Sequence, residues 1–207
     1  MTTWHHQERL QAVQKVVRET GSVRVVDLGC GAGDLFVQFA SDPSLTELVG
    51  IDICRTSLDR LRHRLAASDP VVPLIDLREG SMTDPIPDVA GFDCAVLVET
   101  IEHLAPAHLS KLERSLFRMM RPKTVVITTP NAEFNALLGV PPHRMRHPEH
   151  RFEWTRAEFQ RWSARVAMAA GYHVIFHDIA GHHPDLGGAS QMAVFTLNRP
   201  KALTDVA

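Results

Sequence analysis

Three glycines within five residues, Gly29-Cys30-Gly31-Ala32-Gly33, separate a β-branched run, Val23–Asp27, from a helical stretch that starts near Asp34. Glycines between a strand and a helix permit a tight turn and let a ligand approach the backbone closely. The turn commits this part of the chain to a parallel β-α unit, and the same alternation recurs. Short apolar runs at Glu47–Ile53 (ending at Asp52), Leu74–Arg78, Cys94–Val98 and Thr124–Thr128 read as buried strands. Helical spacing appears over Gln7–Thr20, Thr56–Ala67 and Ala107–Met120, the last stopped by Arg121-Pro122. Thr155–Ala170 reads as a helix with Thr155 as N-cap, Glu158 three residues on and Gly171 as its stop.

Two closing strands, Tyr172–Ile179 and Gln191–Asn198, are joined by a Gly/His/Pro-rich loop. The predicted fold is α/β: a doubly wound, seven-stranded, mostly parallel sheet with helices on both faces and an antiparallel edge strand. A chain of 207 residues, 44% of them hydrophobic, suits one domain over 1–207. Within it, residues 1–22 carry an N-terminal helix, and 130–154 break the pattern as a long insertion over the mouth of the crevice.

The net charge of −2 excludes a global polycation, so any nucleic-acid binding must rest on a local patch. Cys30, Cys54 and Cys94 are too few and too scattered for a disulfide framework or a CxxC zinc site, and are expected as buried free thiols. The N-terminus does not read as a signal peptide, and no apolar run approaches membrane-spanning length. A cytoplasmic location follows as the expectation, and a chain of this size can act as a monomer.

The glycine pattern is GxGxG, which is not the GxGxxG of dinucleotide binders, and no Lys-Ser/Thr follows as a phosphate loop needs. Asp52, ending the second strand, is placed to accept hydrogen bonds from ribose hydroxyls. With Asp27 entering the loop, the arrangement resembles class I, Rossmann-like S-adenosylmethionine-dependent methyltransferases. The resemblance implies that Gly29 and Gly31 pass beside the methionine moiety, that Asp52 holds the ribose, and that Ser81-Met82 lie near the adenine.

The fourth strand runs into Glu99-Thr100-Ile101-Glu102-His103. If a helix follows Val98, Glu99, Glu102 and His103 stand at i, i+3 and i+4, roughly on one face at the carboxyl end of a strand. Carboxylates with an imidazole suit Mn²⁺, Fe²⁺ or Co²⁺ and accept Mg²⁺ less naturally. The insertion adds His143, His147 and His150, and Arg144, Arg146, Arg151 and Arg156 make it locally basic, a surface that can read phosphate.

Three blocks together make the likeness specific: Glu99-Thr100-Ile101-Glu102-His103-Leu104, Thr128-Thr129-Pro130-Asn131-Ala132-Glu133-Phe134-Asn135, and Arg146-His147-Pro148-Glu149-His150-Arg151-Phe152-Glu153-Trp154-Thr155-Arg156. They resemble the small-RNA 3′-terminal ribose 2′-O-methyltransferases, and Gln191-Met192-Ala193-Val194-Phe195 matches the bacterial branch. The resemblance covers about Val23 to Leu197. It implies that Glu99, Glu102, His103 and His150 hold one divalent ion (Mn, Mg or Co), with S-adenosylmethionine as methyl donor and the 2′-OH of an RNA 3′-terminal nucleotide as acceptor. His147 is then a candidate base or a partner of the ligands, and Asn131, Arg144, Arg146, Arg151 and Arg156 are candidate RNA contacts. Bacterial members usually carry a further N-terminal domain that works with an RNA repair ligase–kinase, the partner this likeness implies; the resemblance itself is to the methyltransferase domain only, which is the expectation for this chain. Two alternatives stand beside it. One is an O-methyltransferase for a small vicinal diol of catechol or quinol type, and the other is a noncatalytic cofactor- or RNA-binding module.

Overall fold

The apolar runs form strands where their patterning places them. In the computed structural model, which describes residues 4–198, they are β1 (Arg24–Leu28), β2 (Glu47–Asp52), β3 (Leu74–Glu79), β4 (Cys94–Val98), β5 (Thr124–Pro130), β6 (Tyr172–Ile179) and β7 (Ser190–Leu197). They make one sheet in the order β3-β2-β1-β4-β5-β7-β6. β1 to β5 pair in parallel, and β7 runs antiparallel to both β5 and β6. The reversed strand therefore lies one place in from the edge, and β6 takes the edge itself.

Alternate residues of each central strand face opposite cores, as a two-residue side-chain period requires. Val26, Leu28, Ala95, Leu97, Val125 and Ile127 pack with the helices that follow β4 and precede β6: α4 (Leu109–Arg114, continuing as a π-helical turn over Ser115–Met120) and α5 (Arg156–Ala170). Val25, Leu48, Cys94, Val96 and Val126 face the other way, against α1 (Trp4–Glu19), α2 (Phe36–Ala40) and α3 (Arg55–Ala66). Each fully buried Leu, Val or Phe contributes about 1.5–3 kcal/mol, so the two cores fix the sheet between its helices.

α5 begins with the expected reciprocal cap. The Thr155 hydroxyl accepts from the Glu158 N–H, the Glu158 carboxylate accepts from the Thr155 N–H, and Gly171 ends the helix at φ +77°. The helix expected over Ala107–Met120 is instead composite: a 3₁₀ turn at Pro106–His108, then α4, then the π-helical turn, whose width turns Ser115, Leu116 and Phe117 inward together. The insertion has more order than its composition suggests. Residues Ala132–Leu138 wind as 3₁₀ turns capped by the Asn131 side chain, and Trp154 returns to pair with Asn131. Cys30 and Cys94 are buried as expected, but Cys54 is exposed, because it caps α3 at the surface. Among the described residues no helix is long and apolar enough to cross a membrane.

Strand order reverses direction between β1 and β4, which opens a crevice beyond their carboxyl ends. The glycine loop and the Glu99–His103 segment both leave the sheet there.

Candidate active site

Gly29, Gly31 and Gly33 all have positive φ, at +80°, +54° and +85°. A Cβ at Gly29 would lie 2.5 Å from Thr100 Cγ2 and one at Gly33 2.2 Å from Leu61 Cδ1, whereas Gly31 faces open space. The first and third glycines thus let neighbouring side chains close on the loop, and the second leaves a cradle for a ligand. The Asp52 carboxylate accepts from the Gly31 N–H (2.8 Å) and the Cys54 N–H (2.7 Å), which fixes it at the end of β2 beside the loop. Asp27 is buried at the loop entrance. Burial, and then the charge of Asp52, push its carboxyl up to about 7. A cleft of about 180 Å³ is lined by Asp27, Gly29, Gly31 and Val98, with His6 and Leu10 of α1 on its rim. Met82 reaches the same loop: its Cε lies 3.4 Å from the position of a Gly29 Cβ. Ser81 pairs with the Thr83 hydroxyl at 2.8 Å. Four of the six expected cofactor residues, Asp27, Gly29, Gly31 and Asp52, form one open-faced cradle with Met82 at its side.

Past β4 the chain does not enter an α-helix. Glu99 takes a left-handed conformation (φ +51°), and Ile101–His103 makes a single 3₁₀ turn. The cause lies in β5: the Glu99 N–H donates to the Thr128 carbonyl (3.2 Å) and hydroxyl (3.1 Å), which holds the chain off the helical path. The turn points Glu102 inward, fully buried, and leaves His103 exposed. Glu99 accepts from the Thr128 hydroxyl (3.0 Å) with one oxygen, and its other oxygen faces Arg9 Nη2 (3.2 Å) and the Ser190 hydroxyl (3.3 Å). Glu102 Oε2 accepts from the Thr129 hydroxyl (3.0 Å), while its buried Oε1 has no partner among the described residues. Burial, then the neighbouring Glu99, raise the Glu102 carboxyl well above the carboxylate range.

His103 meets the insertion. Ring nitrogens of His103, His147 and His150 lie within 4.8 Å of one another, and the His103 and His150 ring centroids are 4.9 Å apart. Burial, then His150 and His147, lower the His103 pKa, so its ring favours the neutral, ligating form. Glu153 organises the group: its Oε1 holds His150 Nδ1 (2.5 Å) and the Arg146 N–H (2.7 Å), and its Oε2 takes the Asn135 amide (2.6 Å). A carboxylate on one nitrogen of an imidazole, leaving the other free, is the usual support of a metal ligand. The Arg151 N–H donates to the Glu102 carbonyl (2.7 Å), clamping the insertion to the turn after β4. An orphaned buried carboxylate oxygen and three convergent imidazoles fit a divalent cation. The convergent set contains His147 as well as the expected His103 and His150, while Glu99 and Glu102 are engaged by Thr128, Thr129, Arg9 and Ser190.

Two of the five expected RNA contacts are engaged by the protein itself, Asn131 fully buried and Arg146 partly so. Asn131 is fully buried, donating to the Leu186 (2.8 Å) and Gly188 (2.9 Å) carbonyls, so it presents nothing to a ligand. Arg146 reaches inward to the Asn131 and Ala189 carbonyls and to Asn135, and burial lowers its pKa. Arg156 binds Glu133 and the Asp185 carbonyl, both at 2.6 Å. Arg144 and Arg151 are exposed. Sequence patterning missed Arg9 and Glu153. Arg9 carries no local signal, whereas Glu153, three residues after His150, sits inside the very block that drew attention to the histidines.

Comparison with known proteins bears on the fold and the family. The family described as "Methyltransferase domain" matches residues 25–123. The small RNA 2′-O-methyltransferase of Gallus gallus is 36% identical over 95% of this chain, which spans 54% of that protein's length, about half. A chain of a Pnkp1/Rnl/Hen1 RNA repair complex shares the fold at 21% identity and TM-score 0.68, over 95% of this chain and 42% of that one. The crystallised methyltransferase domain of bacterial CtHen1 is 36% identical with TM-score 0.84, covering 94% of this chain and all of that one. At that identity and coverage, the chain belongs to the Hen1 family of small-RNA 2′-O-methyltransferases, as a class I methyltransferase domain.

Proposed function

We propose that this chain transfers a methyl group from S-adenosylmethionine to the 2′-OH of the 3′-terminal nucleotide of small or cleaved RNA, protecting that end. The observation that carries the reading is the glycine cradle after β1 beside the turn after β4, where buried Glu102 keeps an oxygen unpartnered among the described residues and His103 meets His147 and His150. Glu99, Glu102, His103 and His150 would hold one Mn²⁺, Mg²⁺ or Co²⁺, and such an ion supplies the charge that lowers the pKa of a ribose hydroxyl.

The chain's own groups do the remaining work. Asp52 and the glycine loop orient the donor, and Asp27 sets a carboxyl near its methionine end. Glu153 locks His150, and Arg9 restrains Glu99. The 2′-oxygen displaces the sulfonium thioether in line: an O–CH₃ bond forms, the S–CH₃ bond breaks, and the hydroxyl proton passes to His147. Arg144 and Arg151 offer exposed cations to backbone phosphates. A vicinal diol is the natural partner of such a site, which favours a free 3′ end over an internal or 3′-phosphorylated nucleotide. A repair ligase–kinase as partner and a reducing cytosol as compartment complete the proposal.

The test is methyl transfer from labelled S-adenosylmethionine to three matched short RNAs, ending in a 2′,3′-diol, a 2′-deoxy nucleotide or a 3′-phosphate, each with Mn²⁺ and with chelator. Label on the diol RNA alone, and only with metal, is expected. Cofactor binding without label on any RNA would sink the RNA reading and favour a small-molecule diol.

A further inference from the structure

We propose that the cavity between the 3₁₀ segment Ala132–Leu138 and the Pro141–Met145 stretch receives the base of the RNA's last nucleotide; this rests on the function proposed above. The cavity holds about 370 Å³, and its apolar lining includes Ala136, Val140, Pro141, Pro142 and Met145. It adjoins a second opening of about 570 Å³ that contains His147 and His150, and Arg144 and Met145 wall both. Glu153 links them too, since it lines the first cavity while holding His150 of the second. A base covalently attached to a ribose beside those imidazoles has this cavity as its neighbour.

Chemistry favours a base as occupant. The polar residues of the wall are already engaged: Glu133 by Arg156, and Asn135 by Glu153 and Arg146. What is left is an apolar slot with the exposed guanidinium of Arg144 on its rim, facing a ligand that is flat, π-faced and joined to phosphate. Met145 of the wall is more than 40% exposed, as are Leu137 and Leu138 of the neighbouring 3₁₀ segment. With Glu133 and Asn135 engaged inside the protein and only Arg144 offering donors at the rim, the slot grips a base chiefly by its face rather than by its edge.

The test uses wild-type protein with three diol-ended RNAs: unmodified, abasic at the last nucleotide, and abasic at the penultimate one. The terminal abasic RNA should show KM raised about tenfold with kcat nearly unchanged, and the four natural terminal bases should agree within about threefold. Ala136→Trp, which fills the slot from an exposed position, should erase the KM difference between unmodified and terminally abasic RNA. Equal KM for those two RNAs in the wild type, a penalty only for the penultimate abasic RNA, or an undiminished difference in Ala136→Trp would each overturn the assignment while leaving the methyl transfer in place. No transfer to any diol-ended RNA would overturn the function and the subsite together.

Discussion

Arg9 Nη2 sits 3.2 Å from Glu99 Oε2, so the N-terminal helix closes onto the carboxyl end of β4. Arg9 also donates to the Ser190 hydroxyl (3.0 Å), which donates in turn to the same Glu99 oxygen. One guanidinium therefore steadies a carboxylate that stands beside a second, buried one. Arg9→Ala should cost about 1–3 kcal/mol of stability, because it leaves Glu99 with less compensation. Methyl transfer should fall roughly 10- to 100-fold with S-adenosylmethionine affinity nearly unchanged. Arg9→Lys keeps the charge but not the planar fork and should recover part of the loss. Thermal melts and cofactor titrations check this; equal loss of cofactor affinity would argue that α1 acts only on the cleft.

Glu153 is the second support, and its role separates from folding. Glu153→Gln retains a side chain of the same shape that can still meet Asn135, but it removes the charge that fixes His150. Mn²⁺ affinity measured by calorimetry should weaken about 10- to 100-fold. Unchanged Mn²⁺ binding in a folded variant would show that His150 is not a ligand.

Much of the fold was legible because parallel strands buried on both faces must be written as apolar runs. β4 falls on Cys94–Val98 as read, and the Thr155/Glu158 cap marks the start of α5. Local patterning failed where distant contacts decide the backbone. Nothing near Glu99 signals that Thr128 will take its N–H and turn it left-handed. Arginines show the same limit: Arg144 and Arg146 are alike in sequence context, but one is exposed and the other reaches buried carbonyls brought in from Asn131 and Ala189. The histidines of the site were legible as a motif; the carboxylate that aims one of them became visible only once the insertion folded back.

The glycines of the cradle make a contrasting pair. Gly31→Ala meets no atom within 4 Å and should cost only the left-handed strain of a non-glycine residue, about 1–2 kcal/mol. Gly29→Ala adds a clash with Thr100 Cγ2 and should cost a further 1–3 kcal/mol or so. Cofactor affinity should fall in both, but in Gly31→Ala the fall should exceed what its stability predicts, since the added methyl enters the cleft. Melting temperatures and S-adenosylhomocysteine titrations decide; a Gly31→Ala variant with full affinity would move the ligand off this loop.

Asp27 makes the site pH-sensitive in a direction fixed by burial. Its carboxyl is raised from 3.8 to about 7, chiefly by desolvation, so the folded protein holds this proton more tightly than the unfolded chain does. The stability it contributes is therefore present in full below pH 3.8 and is lost as pH rises through about 7. Asp27→Asn removes the ionisation. Free of cofactor, the variant should melt higher than wild type at pH 8, by a margin on the order of 2–4 kcal/mol, and lose that advantage toward pH 5. Cofactor binding should run the opposite way: wild-type affinity for the cationic donor should rise between pH 6 and 8 as Asp27 ionises, and Asp27→Asn should bind weakly and without that trend. Melting curves and calorimetry at pH 5, 6 and 8 measure both. Parallel melting profiles for the two proteins would mean that Asp27 is not the group that titrates, and flat wild-type affinity would place the cofactor's charge away from it.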